Sequence, residues 1–327
     1  MDPVSHVVMG RAAVAALERR TGARCGPGVS AAAIVGALVP DIDLVLAPFG
    51  WDTYLRFHQI GTHSIAGACV LGCGVGFMIR RLVSRSRVRA LMAAASLAAM
   101  THLFLDVLSG GTLGLGWPLV DARAALPLVA MADPSLIAVF VLGAVAMWRD
   151  RQRLWRTARL VVIVIMMVFG VKAFLYGRVV HVLAQDARIQ PNAPRAMEAR
   201  WGSWTEWNVF EKDSDALRVW QAGRRTLTPL LSWPVAEESA LIRTSRSLDT
   251  VRNFLSVHDI TFAIERPQVA GQVEVLWSDV RYCRQDRPGA ATIDCALWFG
   301  GVFDLDGRAI RQLIHVGSWT QQRRPSP

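Results

Sequence analysis

Histidine and aspartate recur in the first third of the sequence at spacings that suit a shared ligand. The stretch "HQIGTHSIAG" (58–67) places His58 and His63 at the start of an apolar run, with Thr62 predicted as a helix N-cap. The stretch "THLFLDVLSGG" (101–111) contains His102 and Asp106, which are four residues apart and therefore share one face of a helix. Each pair can present its side chains to a common ligand.

Two carboxylates follow a proline in "LVPDIDLVLAP" (38–48). Pro40 disfavours continued α-helix at the residues before it, so we expect Asp41 and Asp43 to lie in an extended or irregular stretch. Side chains two residues apart in such a stretch can point in the same direction. His6 lies in a weakly amphipathic N-terminal segment, 3–18, that is predicted to be interfacial or a poor membrane span.

Imidazole and carboxylate together suit Zn²⁺ or another divalent transition metal. Seven potential ligands exceed what one tetrahedral ion needs, so we predict one or more ions. Asp41 or Asp43 is the predicted catalytic group, which orients or deprotonates an attacking water. Asp133 is predicted to be either a group that supports the ligands or a helix cap. The predicted metal ligands are His6, Asp41, Asp43, His58, His63, His102 and Asp106.

The composition indicates a membrane protein. Hydrophobic residues make up 52% of the 327 residues and the mean hydropathy is +0.30, which is high for a soluble domain. No cleavable signal sequence is expected, because arginine and glutamate interrupt the N-terminal apolar stretch. The predicted membrane spans are 28–47, 64–79, 88–108, 134–148 and 158–176.

Arginine predicts the orientation of these spans. Five arginines lie in 80–89 and five in 149–159, whereas the connections 48–63 and 109–133 carry one each. By the positive-inside rule the two arginine-rich loops are cytoplasmic, and the seven predicted ligands therefore lie at the outer face. The formal charge of +10 fits this pattern better than a nucleic-acid surface, so no nucleic-acid partner is expected.

The order and spacing of the motifs resemble the YdjM-like, LexA-regulated family of inner-membrane metal-dependent hydrolases over roughly residues 1–150. The matching motifs are His6, "PDID" (40–43), "HQIGTHS" (58–64), "HLFLD" (102–106), "GWPL" (116–119) and "ADPSL" (132–136). The resemblance implies a hydrolase in a bacterial inner membrane. Gln59 and Ile60 stand where the family has Arg-Gly, which puts a phosphate-binding role at that position in doubt. The pattern is more distantly similar to the zinc phospholipase C and P1-type nuclease group, which implies phosphoester hydrolysis.

The remainder of the chain reads as a soluble domain. We predict a mainly α protein with a helical transmembrane metal-binding domain (1–176), a linker (177–200) and a soluble α+β domain with an antiparallel sheet (201–327). The soluble domain follows the last outward span and is expected in the periplasm. Cys283 and Cys295 end and begin neighbouring predicted strands, so a disulfide is one of two open alternatives beside two buried thiols.

Two function classes fit this organisation. The first is a membrane-bound metal-dependent hydrolase that acts on a phosphoester or another lipid-like, amphiphilic substrate reaching the site from the membrane lipids. The second is a transporter or ion-handling protein in which the same side chains bind the transported cation. Transporters favour ligands near the bilayer midplane and paired repeats, whereas these ligands lie at predicted helix ends, which favours the hydrolase.

Overall fold

A computed structural model describes residues 1–21, 26–83, 86–120, 122–190, 193–235, 238–268, 271–283 and 294–324. The chain divides into two compact units. The helical unit consists of Met1–Leu44, His58–Val180 and Glu198–Glu206, and the C-terminal unit of Val45–Phe57, His181–Met197 and Trp207–Pro327. Each unit therefore includes a segment whose flanking residues belong to the other.

Helices account for most of the first unit. They are α1 (Pro3–Thr21), α2 (Pro27–Leu38), which continues as a 3₁₀ stretch (Val39–Phe49), α4 (Ile65–Leu82), α5 (Val88–Leu108), α6 (Pro134–Arg149) and α7 (Leu154–Gln185). The 3₁₀ stretch belongs to this unit as far as Leu44, and α7 as far as Val180. The short helix α3 (Trp51–Phe57) belongs to the C-terminal unit. The fold class predicted from the sequence, a helical membrane domain followed by a soluble α+β domain, is confirmed.

Four helical segments are long and apolar enough to cross a membrane, by length and composition, within the described ranges. They are Pro27–Phe49, Ile65–Leu82, Val88–Leu108 and Arg151–Gln185. The predicted span 134–148 forms a shorter apolar helix, Pro134–Arg149. The predicted span 158–176 is part of α7, which continues through residues assigned above to the linker. The predicted cytoplasmic loop 80–89 includes residues 84 and 85, which lie outside the described residues.

The chain changes its helical geometry at Pro40 in a way that differs from the prediction. The α-helix ends at Leu38, as expected before a proline, but residues Val39–Phe49 form 3₁₀ turns and no extended stretch. Pro40 and Pro48 have no N–H to donate, which removes bonds that an α-helical ladder would need here. 3₁₀ turns are frequent at the C-terminal ends of α-helices, although a stretch of 11 residues is unusually long.

Close packing between α4 and α5 depends on small residues. A Cβ atom added at Gly72 would lie 2.5 Å from Ser96 Cα, and one at Gly76 would lie 2.4 Å from Met92 Cα. Small residues let helix backbones approach closely where lipid supplies little hydrophobic drive for association. Gly74 lies on the same helix, but a Cβ there would meet nothing within 4 Å.

The C-terminal unit contains two antiparallel sheets. The first sheet has the order β1 (Arg195–Ala199), β2 (Trp207–Lys212), β3 (Ala216–Ala222) and β4 (Leu227–Pro234). The second has the order β5 (Thr261–Pro267), β6 (Val273–Asp279), β7 (Leu297–Phe303), β8 (Ala309–Val316) and β9 (Trp319–Arg323). Helices α8 (Ala240–Ser245) and α9 (Asp249–Leu255) connect the two sheets along the chain.

The predicted secondary structure of this unit is largely confirmed. The alternating pattern of 272–283 predicts a strand, which is β6, and the two apolar runs of 292–317 around a "DLDG" turn predict a hairpin, which is β7 and β8. The apolar face of 248–257 predicts a helix, which is α9. Residues 292 and 293 lie outside the described residues. The structure joins Cys283 and Cys295 in a disulfide, which settles the open alternative in favour of the bridge.

The glycine packing predicts a position-specific effect of one added methyl group. Gly76→Ala is expected to destabilise the helical unit by about 1–3 kcal/mol, because the new Cβ overlaps the α5 backbone and the helices must separate. Gly74→Ala is the matched control and should be neutral or slightly stabilising, because alanine favours helix. Thermal unfolding in detergent measures both, and equal midpoints for the two variants would contradict the packing described here.

Candidate metal centre

Four segments of the helical unit bring the predicted ligands together. The 3₁₀ stretch after α2 carries two aspartates, the turn Gly61–His63 and the residue His58 precede α4, and the last turns of α5 carry a histidine and an aspartate. The beginning of α1 carries the remaining histidine. The residues placed at these positions are His6, Asp41, Asp43, His58, His63, His102 and Asp106.

One group within this cluster has the composition of a four-ligand site. Asp41, His63, His102 and Asp106 each offer one ligand atom, and these atoms lie within 4.8 Å of one another. Asp41 Oδ1 lies 3.3 Å from His63 Nε2 and 3.4 Å from His102 Nε2. Asp106 Oδ2 lies 3.0 Å from His102 Nε2 and 3.7 Å from His63 Nε2. Two imidazoles and two carboxylates match the ligand number of a tetrahedral divalent site.

The hydrogen bonds of the two histidines favour the tautomer that a metal needs. His102 Nδ1 lies 2.7 Å from the carbonyl oxygen of Ala37, to which only a protonated nitrogen can donate. His63 Nδ1 lies 3.0 Å from Thr62 Oγ1, which itself donates to Asp43 Oδ2 and can therefore accept from Nδ1. The same Nδ1 lies 3.3 Å from Asp43 Oδ2. Protonation at Nδ1 leaves the lone pair on Nε2, and both Nε2 atoms are buried without a hydrogen bond of acceptable geometry to a described residue. Such a pattern fits metal-binding histidines, which commonly donate their second nitrogen to a carbonyl or carboxylate.

A second group shares His63 with the first. Asp43, His58 and His63 lie close enough to hold an ion, and Asp43 Oδ2 is 3.0 Å from His58 Nδ1. Thr62 Oγ1 donates to the same oxygen at 3.1 Å. The predicted N-cap role of Thr62 is wrong: the N-cap of α4 is Ser64, whose side chain accepts from Gly67 N, because helix α4 begins one residue after the turn that holds His63.

Burial and charge at this cluster favour a bound cation. Burial alone lowers the pKa of His63, but the carboxylates of Asp41 and Asp43 outweigh it and raise this pKa above the ordinary histidine value. The carboxylates thus stabilise a positive charge at this position, which is a proton on the imidazole or a divalent ion that replaces the proton on Nε2. Most of the ligand side chains are buried, whereas the Asp41 side chain is 43% exposed. The cluster is therefore accessible at Asp41.

His6 belongs to the cluster but lies outside both ligand groups. Its ring stacks on His102 with centroids 3.8 Å apart, and its Nε2 lies 3.3 Å from Asp106 Oδ1. The same oxygen contacts the Met1 amino group. His6 can therefore orient Asp106 and His102 as it stands, and its predicted role as a direct ligand stays a prediction.

Asp133 lies apart from these two groups. Its Oδ1 accepts from Ser135 N and Leu136 N and thereby caps α6, which is one of the two predicted roles. Its Oδ2 lies 3.7 Å from Lys172 Nζ, and Lys172 also donates to the carbonyl oxygen of Ser203. The sequence reasoning missed Lys172, although one lysine inside a long apolar helix is a sufficient signal for a buried partner.

Gln59 holds the histidine loop to the connection that follows α5. It adopts a left-handed backbone conformation with φ of 67°, which is unusual for a residue other than glycine. Its Oε1 accepts from Thr112 N at 3.1 Å, and its carbonyl oxygen accepts from Gly114 N at 2.8 Å. These contacts give Gln59 a role in positioning the loop between His58 and His63.

Comparisons with known proteins identify the family of this chain. Residues 1–177 match the family model described as "YdjM inner membrane protein". "Uncharacterized protein YfhP" of Bacillus subtilis (strain 168) is 29% identical over 153 residues, which are 45% of this chain and 46% of that protein. The match thus spans about half the length of this relative. No solved structure matches the chain, so the similarity to the zinc phospholipase C group stays a prediction. Because the matched segment covers more than half of the 327 residues and contains all seven clustered residues, the chain belongs to the YdjM inner membrane protein family.

Proposed function

We propose that this protein is a membrane-bound, metal-dependent hydrolase of phosphoester or lipid-like substrates. The observation that carries the proposal is the pair of buried Nε2 atoms on His63 and His102, which face carboxylates without hydrogen bonds of good geometry. Lone pairs buried in this way are costly unless they meet a cation or a donor. Family membership supports the membrane location.

The first ligand group would hold the metal, and Zn²⁺ suits its ligands best. Three of its members, His63, His102 and Asp106, would be the protein ligands, the number typical of a catalytic zinc site with an open position. The fourth member, Asp41, would then be available to act on water. A divalent metal supplies Lewis acidity toward a phosphoryl oxygen and toward water. The second group, with Asp43 and His58, would hold a further ion or orient His63 through its Nδ1.

The two predicted catalytic carboxylates differ in what they can reach. Asp43 has a side chain only 4% exposed, and its Oδ2 faces His58, Thr62 and His63. Asp41 is the accessible carboxylate. We therefore assign to Asp41 the orientation and deprotonation of the attacking water, and to Asp43 the orientation of the imidazoles.

The neighbours of Asp41 support an amphiphilic substrate. Ile42 lies between the two aspartates, and Leu44 and Val45 follow them in the sequence. All three side chains are exposed. They lie in an apolar segment long enough to span a membrane. A substrate with an apolar portion would contact these residues while its polar group approaches Asp41, as expected for a molecule that arrives from the membrane lipids.

Two independent observations support a periplasmic C-terminal unit and an outward-facing site. The arginine-rich loops favour a cytoplasmic location for the helix ends that they connect. The ligand cluster lies at the other ends of these helices, which would then face outward. The disulfide between Cys283 and Cys295 favours an oxidising compartment for the C-terminal unit. A transporter would bind the same ions, and uptake of Zn²⁺ into sealed proteoliposomes, without any hydrolysis, would favour that alternative.

Metal binding is predicted to depend on the shared histidine. His63→Ala is expected to weaken Zn²⁺ binding by more than about 100-fold, because losing groups that merely orient a ligand already costs 10–100-fold. Metal content and affinity are measured on protein purified in detergent. His315→Ala is the control, because this partly exposed histidine lies in the C-terminal unit and should leave binding unchanged. Full metal content in a folded His63→Ala protein would refute the site.

Substitutions of Asp41 and Asp43 are predicted to affect different quantities, kcat for Asp41 and metal affinity for Asp43. Asp41→Asn removes the base, so kcat is expected to fall by about 10²–10⁴-fold and to stay low at saturating metal concentration. Asp43→Asn should instead lower metal affinity by about 10–100-fold, with activity largely restored at high metal concentration. Turnover of phosphodiester, phosphomonoester and phospholipid substrates is the measurement. Identical behaviour of the two variants would contradict this division of roles.

The proposed topology is tested by labelling a single introduced cysteine. Leu305 is 84% exposed in the C-terminal unit, so Leu305→Cys should react with a membrane-impermeant maleimide in intact cells. The background carries Cys25→Ala, Cys69→Ala and Cys73→Ala, which removes every native cysteine outside the disulfide. Arg151→Cys, in a predicted cytoplasmic loop, should react only after permeabilisation. The reverse labelling pattern would overturn both the periplasmic assignment and the outward-facing site.

A further inference from the structure

The segment Val45–Phe57 joins two members of the second ligand group. It begins two residues after Asp43 and ends one residue before His58. These two ligands meet through Asp43 Oδ2 and His58 Nδ1 at 3.0 Å, so the intervening chain forms a loop that is closed by this contact. The segment itself belongs to the C-terminal unit and contains helix α3.

A buried carboxylate fixes this segment within the C-terminal unit. Asp52 is 1% exposed, and its Oδ1 accepts from an Arg323 guanidinium nitrogen at 3.0 Å. Its Oδ2 accepts from Asn253 Nδ2 at 2.8 Å. Arg323 also donates to the carbonyl oxygen of Phe49, and Arg56 donates to Asn253 Oδ1 at 2.9 Å. Residues from β9 and α9 therefore bind both the beginning and the middle of the segment.

Backbone geometry and apolar contacts agree with this fixation. Gly50 has φ of +136°, and a Cβ added there would overlap the Arg323 guanidinium, so the arginine lies directly against the backbone. Trp51 and Leu55 on α3 pack against the apolar core that contains Val251 and Phe254 of α9. The segment is thus built into the C-terminal unit by charge, hydrogen bonds and apolar packing together.

We propose that Asp52 and Arg323 are positioning residues through which the C-terminal unit sets the placement of Asp43 and His58. The inference rests on the proposed metal-binding function and deepens it by giving the C-terminal unit a role. Bringing the two ends of a flexible loop together costs conformational entropy. A loop whose middle is already ordered by α3 has lost much of that entropy, so its ends meet at a lower cost. Removing the Asp52–Arg323 pair restores the cost and weakens the ligand group.

The test uses full-length protein in detergent and two substitutions that remove the ion pair. In Asp52→Asn and in Arg323→Met, amides in 58–64 should exchange with deuterium faster than in the parent protein, with metal absent. Co²⁺ titration should show an affinity about tenfold lower, which is the usual size of an effect transmitted through a ligand's neighbours. Arg323→Lys keeps the positive charge and should recover part of both losses.

The matched control is a second Asp–Arg pair in the same unit. Asp213 is largely buried and pairs with Arg218, as Asp52 pairs with Arg323. Neither Asp213 nor Arg218 belongs to the segment 45–57 or is close to it in sequence. Asp213→Asn should leave the exchange in 58–64 and the Co²⁺ affinity unchanged, even if it lowers the unfolding temperature of the C-terminal unit. Unaltered exchange in 58–64 for Asp52→Asn and Arg323→Met, or equal changes in Asp213→Asn, would overturn the inference. A parent protein that binds no Co²⁺ would instead overturn the proposed function, and the exchange data would still decide the positioning role.

Discussion

The helical unit depends on one constraint: histidine and aspartate side chains buried beside apolar helices must be satisfied by one another or by a cation. Water is scarce there, and an unpaired polar group costs several kcal/mol. His102 meets the constraint with Nδ1, which donates to the carbonyl oxygen of Ala37. His63 meets it with Nδ1, which contacts Thr62 Oγ1 and Asp43 Oδ2. Because the Nδ1 atoms are used in this way, the Nε2 atoms converge on Asp41 and Asp106.

The helix packing makes this arrangement possible. His102 on α5 can reach the Ala37 carbonyl only because α2 and α5 approach closely, and a Cβ on Gly36 would lie 2.4 Å from the backbone oxygen of Ala95. The carbonyl of residue 37 belongs to the last turn of an α-helix, where carbonyl groups lose their intrahelical partners. Pro40 helps to end that helix, so the same proline that precedes the two aspartates also leaves the Ala37 carbonyl available to a histidine.

The sequence predicted the ligand types and their convergence because helix ends and the positive-inside rule place residues by segment. It could not assign individual partners. Thr62 and Ser64 both have cap chemistry, and the choice between them depends on where His63 must point. Asp133 read as a cap or a supporting group, but its second oxygen faces Lys172, a contact across elements that local patterns do not encode. The left-handed Gln59 likewise depends on Thr112 and Gly114 in another loop.

Each of the two units contains one segment that is flanked along the chain by residues of the other unit. Val45–Phe57 lies in the sequence between two ligands but belongs to the C-terminal unit, and Glu198–Glu206, from the end of β1 to the start of β2, belongs to the helical unit. In the second case Lys172 donates to the carbonyl oxygen of Ser203 and its ammonium lies 5.0 Å from the Trp204 ring, so a charged group of a membrane helix is satisfied by residues from near the C-terminal strands. Neither unit contains all of its own contacts in one continuous stretch of chain. By the inference above, a substitution of Asp52 or Arg323 in the C-terminal unit would change the placement of two ligands in the helical unit without touching either of them.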